Sequence, residues 1–217
     1  MDLTAIDPAV FDDAINAFTT LFVIIDPIGN APIFLALTAG MGAVQRRRIA
    51  VRGVLIGAMI LTVFAWTGDA VLSFVGISMP AFRIAGGLLL FLTALDMLFE
   101  RRTERREKRA ESEAETENDP SVFPLATPLI AGPGSITAVI LLMDEHSGDL
   151  PGQFMVLGVL FVVLLLAFAL LTLSGPLERL LRRTGTMVIT RVLGMLLAAL
   201  AVQFVIDGLS SVGVLPG

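Results

Sequence analysis

Residues 21–34 read Leu21-Phe22-Val23-Ile24-Ile25-Asp26-Pro27-Ile28-Gly29-Asn30-Ala31-Pro32-Ile33-Phe34. An apolar run is interrupted by one carboxylate, two prolines and a glycine, and that interruption decides how the chain is read. The surrounding run, 14–38, exceeds the roughly 20 apolar residues a bilayer span needs. Asp26 falls at its middle. A proline inside a helix has no N–H to give four residues back, so Pro27 and Pro32 free the carbonyls of Val23 and Ile28. Unpaired backbone at membrane depth persists only where protein buries it or where it lines a polar cavity. The stretch therefore predicts a broken membrane helix with a polar site at the break.

The break recurs. Thr127-Pro128-Leu129-Ile130-Ala131-Gly132-Pro133 places Pro128 and Pro133 each 101 residues after Pro27 and Pro32, freeing the carbonyls of Pro124 and Leu129. A second pair of segments matches at an offset of 108, Arg83-Ile84-Ala85-Gly86-Gly87-Leu88-Leu89 with Arg191-Val192-Leu193-Gly194-Met195-Leu196-Leu197. The chain reads as two copies of a three-helix unit. Because three is odd, the second copy enters the membrane from the opposite side.

Composition supports a membrane protein. The 217 residues are 55% apolar and only 16% charged, where a soluble domain carries about 25% charged residues. Six apolar spans are expected, near 14–38, 53–75, 84–99, 122–143, 153–173 and 188–214. Of the 15 Lys and Arg, all but Arg83 fall in or at the edge of the loops between spans one and two, three and four, or five and six. Positive charge stays on the cytoplasmic side, which places both termini outside. The acidic start (Asp2, Asp7, Asp12, Asp13) is unlike a cleavable signal, which opens on positive charge. The expected fold is an all-α polytopic membrane protein of six transmembrane helices, two inverted three-helix repeats with helices one and four broken. Residues 1–100 and 121–217 form the repeats, and the charged stretch 101–120 is a cytoplasmic linker.

Several chemistries lack raw material. With no Cys and one His, neither a thiolate metal site nor a Ser-His-Asp triad is available. His146, beside Asp144, Glu145 and Asp149, reads as part of a solvated external loop, since its neighbours lack ligand spacing. Thr67-Gly68-Asp69 lacks the first glycine of the aspartyl intramembrane protease motif G-x-G-D, and His146 lies outside the spans, where a rhomboid-type site needs an embedded His. No enzyme, resident cofactor, metal site or nucleic-acid partner is expected. Gly53, Gly57, Gly86, Gly87 and Gly194 read as points of close helix packing.

Binding chemistry concentrates at the two breaks. In an inverted pair, the downstream half-helices start near the membrane centre and their positive N-terminal ends converge, which suits a carboxylate. Freed carbonyls suit an ammonium group or a cation. The candidate substrate-binding residues are Asp26, Pro27, Gly29, Asn30 and Pro32 in the first half, with Thr127, Pro128, Gly132, Pro133, Gly134 and Ser135 in the second. A carboxylate at a helix centre costs about 2.5–3.5 kcal/mol on insertion scales, so Asp26 must pair, protonate or face a cavity. It is the candidate coupling group for H+ or Na+, the alternative being a local cap on the broken backbone.

These residues carry a resemblance. Residues 21–34 resemble the N-P-x-G-N-x-P-x-F signature of the MarC family of integral membrane proteins, with Asp26 where the family usually has Asn. The second-half segment continuing through Gly134-Ser135-Ile136-Thr137 is similar to its P-L-x-A-G-P-G-x-I-T element, and Gly86 through Leu98, including Asp96, resembles its third helix. The resemblance implies a six-span inner-membrane protein, some relatives being grouped as transporters of small neutral amino acids such as glycine or alanine. The expectation is a multi-pass cell-membrane transporter of a small zwitterionic solute, in contact with lipid and open to homo-oligomerisation. The alternatives are a channel or exporter of another small solute, or a membrane protein with no transport role.

Overall fold

The computed structural model describes residues 8–99 and 121–214, and the linker lies outside them. The described residues form α1 (Pro8–Ile25), α2 (Pro27–Leu37), α3 (Ala43–Val75), α4 (Met79–Leu98), a π-helical segment π1 (Ser121–Ile130), α5 (Pro133–Glu145), α6 (Leu150–Thr172) and α7 (Ser174–Ser211). Among them there is no strand.

Among the described residues, five stretches are long and apolar enough to cross a membrane: Val10–Leu37, Ala43–Val75, Met79–Leu98, Leu150–Thr172 and Thr184–Ser211. The expected fourth span is instead divided into the ten residues of π1 and the thirteen of α5. Each piece alone is shorter than the roughly 20 residues a spanning helix needs. Its prolines are the cause. Pro124 and Pro128 remove two donors within π1, where the ladder steps to i→i+5 spacing, as in Ala131 N–H to Ala126 O at 2.9 Å.

The first span also divides. α1 ends at Ile25, Asp26 takes a left-handed conformation (φ 51°, ψ 62°), and α2 starts at Pro27. The two breaks are not at matching residues. In the first half the chain breaks before the first proline, whereas in the second Pro128 stays within π1 and the break precedes Pro133. Asp26 explains the difference, because its carboxylate caps the new helix. Thr127, at the matching position, donates its hydroxyl back to Val122 O at 3.3 Å within π1.

Helices α3 and α7, at 33 and 38 residues, are about 50 and 57 Å long, well beyond a hydrocarbon core of about 30 Å. Arg46, Arg47, Arg48 and Arg52 therefore sit on the first turns of α3, and Arg191 within α7, rather than in loops as the apolar spans implied. Hydropathy marks where a helix becomes apolar, whereas Ala, Leu, Glu and Arg propagate the helix itself further.

The broken pair α1–α2 is the most enclosed of the spanning stretches, with Leu21, Ile25, Ile33 and Phe34 fully buried against α5, α6 and α7. Glycines set the approach of the remaining helices. On α3, Gly53, Gly57 and Gly68 face Leu125, Ile130 and Ile140, and a Cβ at any of them would meet that side chain at 2.4–2.6 Å. Between α4 and α7, Gly87 faces Ala201 and Val205 while Gly194 faces Ala94 and Met97. Residue numbers fall on α7 as they rise on α4, so this pair is antiparallel. Large apolar side chains face outward, among them Leu55, Met59, Leu92, Leu165, Met195 and Val202. An outward surface of this kind, on helices long enough to span, is a lipid-contacting one.

Candidate functional site

The backbone accounting at the first break begins with Asp26. Its side-chain Oδ1 accepts from Gly29 N–H at 3.0 Å, and its own N–H and C=O continue the ladders to Phe22 O and from Asn30 N–H, both at 3.0 Å. Asp tolerates the left-handed region because its short polar side chain bonds locally. Capping takes Gly29 N–H away from Ile25 O, its α-helical acceptor. Asn30 serves that carbonyl instead, its Nδ2 donating to Ile25 O at 2.7 Å. Gly29 has no alternative here, since a Cβ would lie 2.2 Å from Asp26 Oδ2.

The same Asn30 amide reaches the other half of the chain. Nδ2 lies 3.4 Å from Leu129 O, a carbonyl that Pro133 leaves without its helical donor. Gly134, in the first turn of α5, meets Ile24 at the end of α1 and Leu90 of α4. The two breaks therefore lie side by side, each half's downstream turn against the other half's upstream end.

The structure thus brings together Asp26, Pro27, Gly29 and Asn30 with Gly132, Gly134 and Ser135. Asp26 and Asn30 are buried, at 1% and 2% exposure, as are Pro27 and Gly132. Ser135 is also buried, Gly29, Pro32, Thr127 and Gly134 are half-buried, and Pro133 is exposed. The Pro128 side chain lies outside the described atoms. Pro32 sits inside α2 and shapes that helix rather than the break. The two downstream N-termini differ. That of α2 already holds the Asp26 carboxylate, whereas α5 starts at Gly132 with no side-chain cap.

A second polar cluster, not foreseen from the sequence, ties the halves at the predicted outer end. Arg83 of α4, with a side chain 16% exposed, pairs with Asp144 at 3.3 Å and Glu145 at 3.9 Å on α5. Burial pushes both carboxyls above their ordinary values, and Arg83 pulls them back down. His146 is half-buried rather than solvated, its Nδ1 3.0 Å from Leu142 O and its Nε2 3.8 Å from Asp13. A Cβ on Gly152 would meet the imidazole at 2.3 Å. The available signal was Arg83 itself, the one cation expected among the outer carboxylates. Among the described residues no three His, Asp or Glu side chains gather as a metal-binding set.

Comparison with known proteins adds the family. Residues 11–212 match the model of the MarC family integral membrane protein. A UPF0056 membrane protein of Archaeoglobus fulgidus is 42% identical over 196 residues, covering 89% of this chain and 91% of its own length. One from Methanocaldococcus jannaschii is 41% identical over 198 residues, covering 90% and 95%. The UPF0056 inner membrane protein YhgN of Escherichia coli is 33% identical over 202 residues, covering 91% and 96%. No solved structure matches. With a match that runs from the first turn of α1 past the end of α7, the chain belongs to the MarC family of integral membrane proteins.

Proposed function

We propose that the protein is a secondary transporter of small neutral amino acids of glycine or alanine type, bound at the membrane midplane between the broken segments α1–α2 and π1–α5. The observation that carries this reading is the Asn30 amide shared between Ile25 O and Leu129 O, which sets the two breaks against each other inside the helical bundle. Discontinuous helices meeting at depth are the recurring binding element of secondary transporters. Helix N-terminal ends suit the carboxylate of a zwitterion, and the Asp26 carboxylate suits its ammonium group.

The reading includes two inverted three-helix repeats, 1–100 and 121–217, joined by 101–120, with π1–α5 together acting as the fourth of six spans and both termini outside. Support comes from the antiparallel α4–α7 pair. Gly87 against Ala201 and Val205 becomes, on exchanging the halves at an offset of 107, one residue from the 108 of the sequence match, Gly194 against Ala94 and Leu98. Reciprocal contacts of this kind accompany two-fold relationships. Asp26 is the proposed coupling group for H+ or Na+, beside its role as cap.

The test is uptake of radiolabelled glycine and alanine into proteoliposomes under an imposed proton gradient, then a sodium gradient, for wild type and Asp26→Asn. Saturable wild-type uptake driven by one gradient, and no longer driven in Asp26→Asn, is expected. Asn also caps helices well, so the variant keeps the break. No uptake above empty liposomes, with folded protein verified, overturns the substrate assignment.

A further inference from the structure

We propose that Arg83 is the outer gate of this carrier, its ion pairs with Asp144 and Glu145 locking α5 across the way from the outer face to the breaks. The inference rests on the reading of a carrier for a small zwitterion and deepens it by naming what controls access to the site from one side.

Helix α5 runs from the break at Gly132 to the outer end of the bundle, packed between α1, α3 and α4. Its outer half has no open face. Every residue from Thr137 to Met143 is buried, which is nearly two full turns. Gly86 of α4 lets Thr137 approach closely, and Gly68 of α3 does the same for Ile140. At the break itself, Gly134 rests on Ile24 of α1 and Leu90 of α4. A solute coming from the outer face therefore meets a plug of packed side chains, and a carrier that alternates access has to move it.

What ties the plug in place lies at its outer end. Arg83 Nη2 on α4 is 3.3 Å from Asp144 Oδ2 and 3.9 Å from Glu145 Oε1, the last two residues of α5. His146, which ends the helix, reaches Asp13 of α1 at 3.8 Å. The surroundings are otherwise acidic. Asp69 of α3 acts on Asp144 and Asp207 of α7 on Glu145, each raising the carboxyl it faces. Arg83 is the one Lys or Arg that the sequence puts at this end. Carboxylates on α1, α3, α5 and α7 thus gather with one guanidinium among them, and without it those on α5 would be left to repel their neighbours. At 16%, 28% and 34% exposure the three paired side chains keep some contact with water. The lock can open without stranding a bare charge in an apolar interior.

The chain has no Cys, so an introduced one reports alone. Ser135→Cys, buried in the first turn of α5, reads access to the break, and Ser147→Cys, exposed just after α5, marks the outer face. A membrane-impermeant maleimide would be applied to intact cells or inverted vesicles, whichever preparation labels Ser147→Cys. Ser135→Cys is expected to label slowly with Arg83 in place and about tenfold faster with Arg83→Gln, the value of one hydrogen bond to a charged group. Arg83→Lys, which keeps the charge, should restore protection, as should the exchange of Arg83→Asp with Asp144→Arg. Val163→Cys, buried on α6, should stay protected throughout, which separates opening from unfolding. Ser135→Cys labelling that Arg83→Gln leaves unchanged overturns the gate, and so does a rise shared by Val163→Cys. Labelling controlled by Arg83 without any glycine uptake would keep the gate and overturn the glycine-type substrate. Driven glycine uptake with labelling indifferent to Arg83 would keep the carrier and overturn the gate.

Discussion

Asn30 Nδ2 lies 3.4 Å from the carbonyl oxygen of Leu129, 99 residues further along the chain, while donating at 2.7 Å to Ile25 O. One side-chain amide thus serves two carbonyls, one displaced by the Asp26 cap and one released by Pro133. The two discontinuities are linked through this amide, since the first break is repaired by its own Asn30 and the second shares that donor.

Replacing Asn30 tests that linkage. Asn30→Ala leaves Ile25 O without this donor and should cost about 1–2 kcal/mol, given the modest values of hydrogen bonds inside membrane proteins. Asn30→Asp should cost more, because it turns an acceptor toward two carbonyl oxygens. Thermal unfolding in detergent reads both, and an Asn30→Asp variant as stable as wild type would contradict the assignment.

Gly29 and Asp26 should behave as a coupled pair. An Ala Cβ at position 29 would press on the Asp26 carboxylate, so Gly29→Ala should destabilise by about 2 kcal/mol although Ala ordinarily favours helix over Gly by about 1 kcal/mol. In an Asp26→Gly background, which keeps the left-handed turn and removes the carboxylate, the same substitution should be neutral or favourable. A double-mutant cycle on chemical unfolding would measure the coupling, and simple additivity would refute it.

The glycine seam on α3 makes a packing prediction. Gly57→Leu would drive a side chain into Ile130, and overpacking of this kind costs about 1–3 kcal/mol. Adding Ile130→Ala should recover part of the loss, whereas Leu125→Ala, beside Gly53, should recover less. Retained monodispersity on size-exclusion chromatography after heating is a direct assay.

At the outer cluster, pH acts in a stated direction. Burial raises the Asp144 and Glu145 carboxyls above the ordinary values of 3.8 and 4.5, against the pull of Arg83. A raised acid binds more protons folded than unfolded, so its contribution to stability is complete below the ordinary value and is lost as pH rises through the raised one. Glu145→Gln should therefore shrink the fall in Tm between about pH 4 and pH 7. Arg83→Gln, which removes the opposing charge, should enlarge that fall and move it to higher pH. Melting curves of the three proteins across that range decide it.

What the sequence determined by itself was whatever depends on local chemistry. Long apolar runs specified helices that cross a bilayer, Pro27, Pro32, Pro128 and Pro133 marked where backbone bonding must fail, and small residues at Gly53, Gly57, Gly86, Gly87 and Gly194 marked close approach. The motifs around Asp26 and Gly132 were specific enough to name the family. Tertiary structure decided where each break falls and what repairs it. Matching prolines gave unequal breaks because Asp26 can cap a new helix and Thr127 bonds back within its own. It also decided that Asn30 repairs both breaks, that the fourth apolar run divides into two short pieces, and that Arg83 sits within reach of Asp144. A proline announces a freed carbonyl in the sequence. Which donor reaches that carbonyl depends on which segment the fold packs beside it.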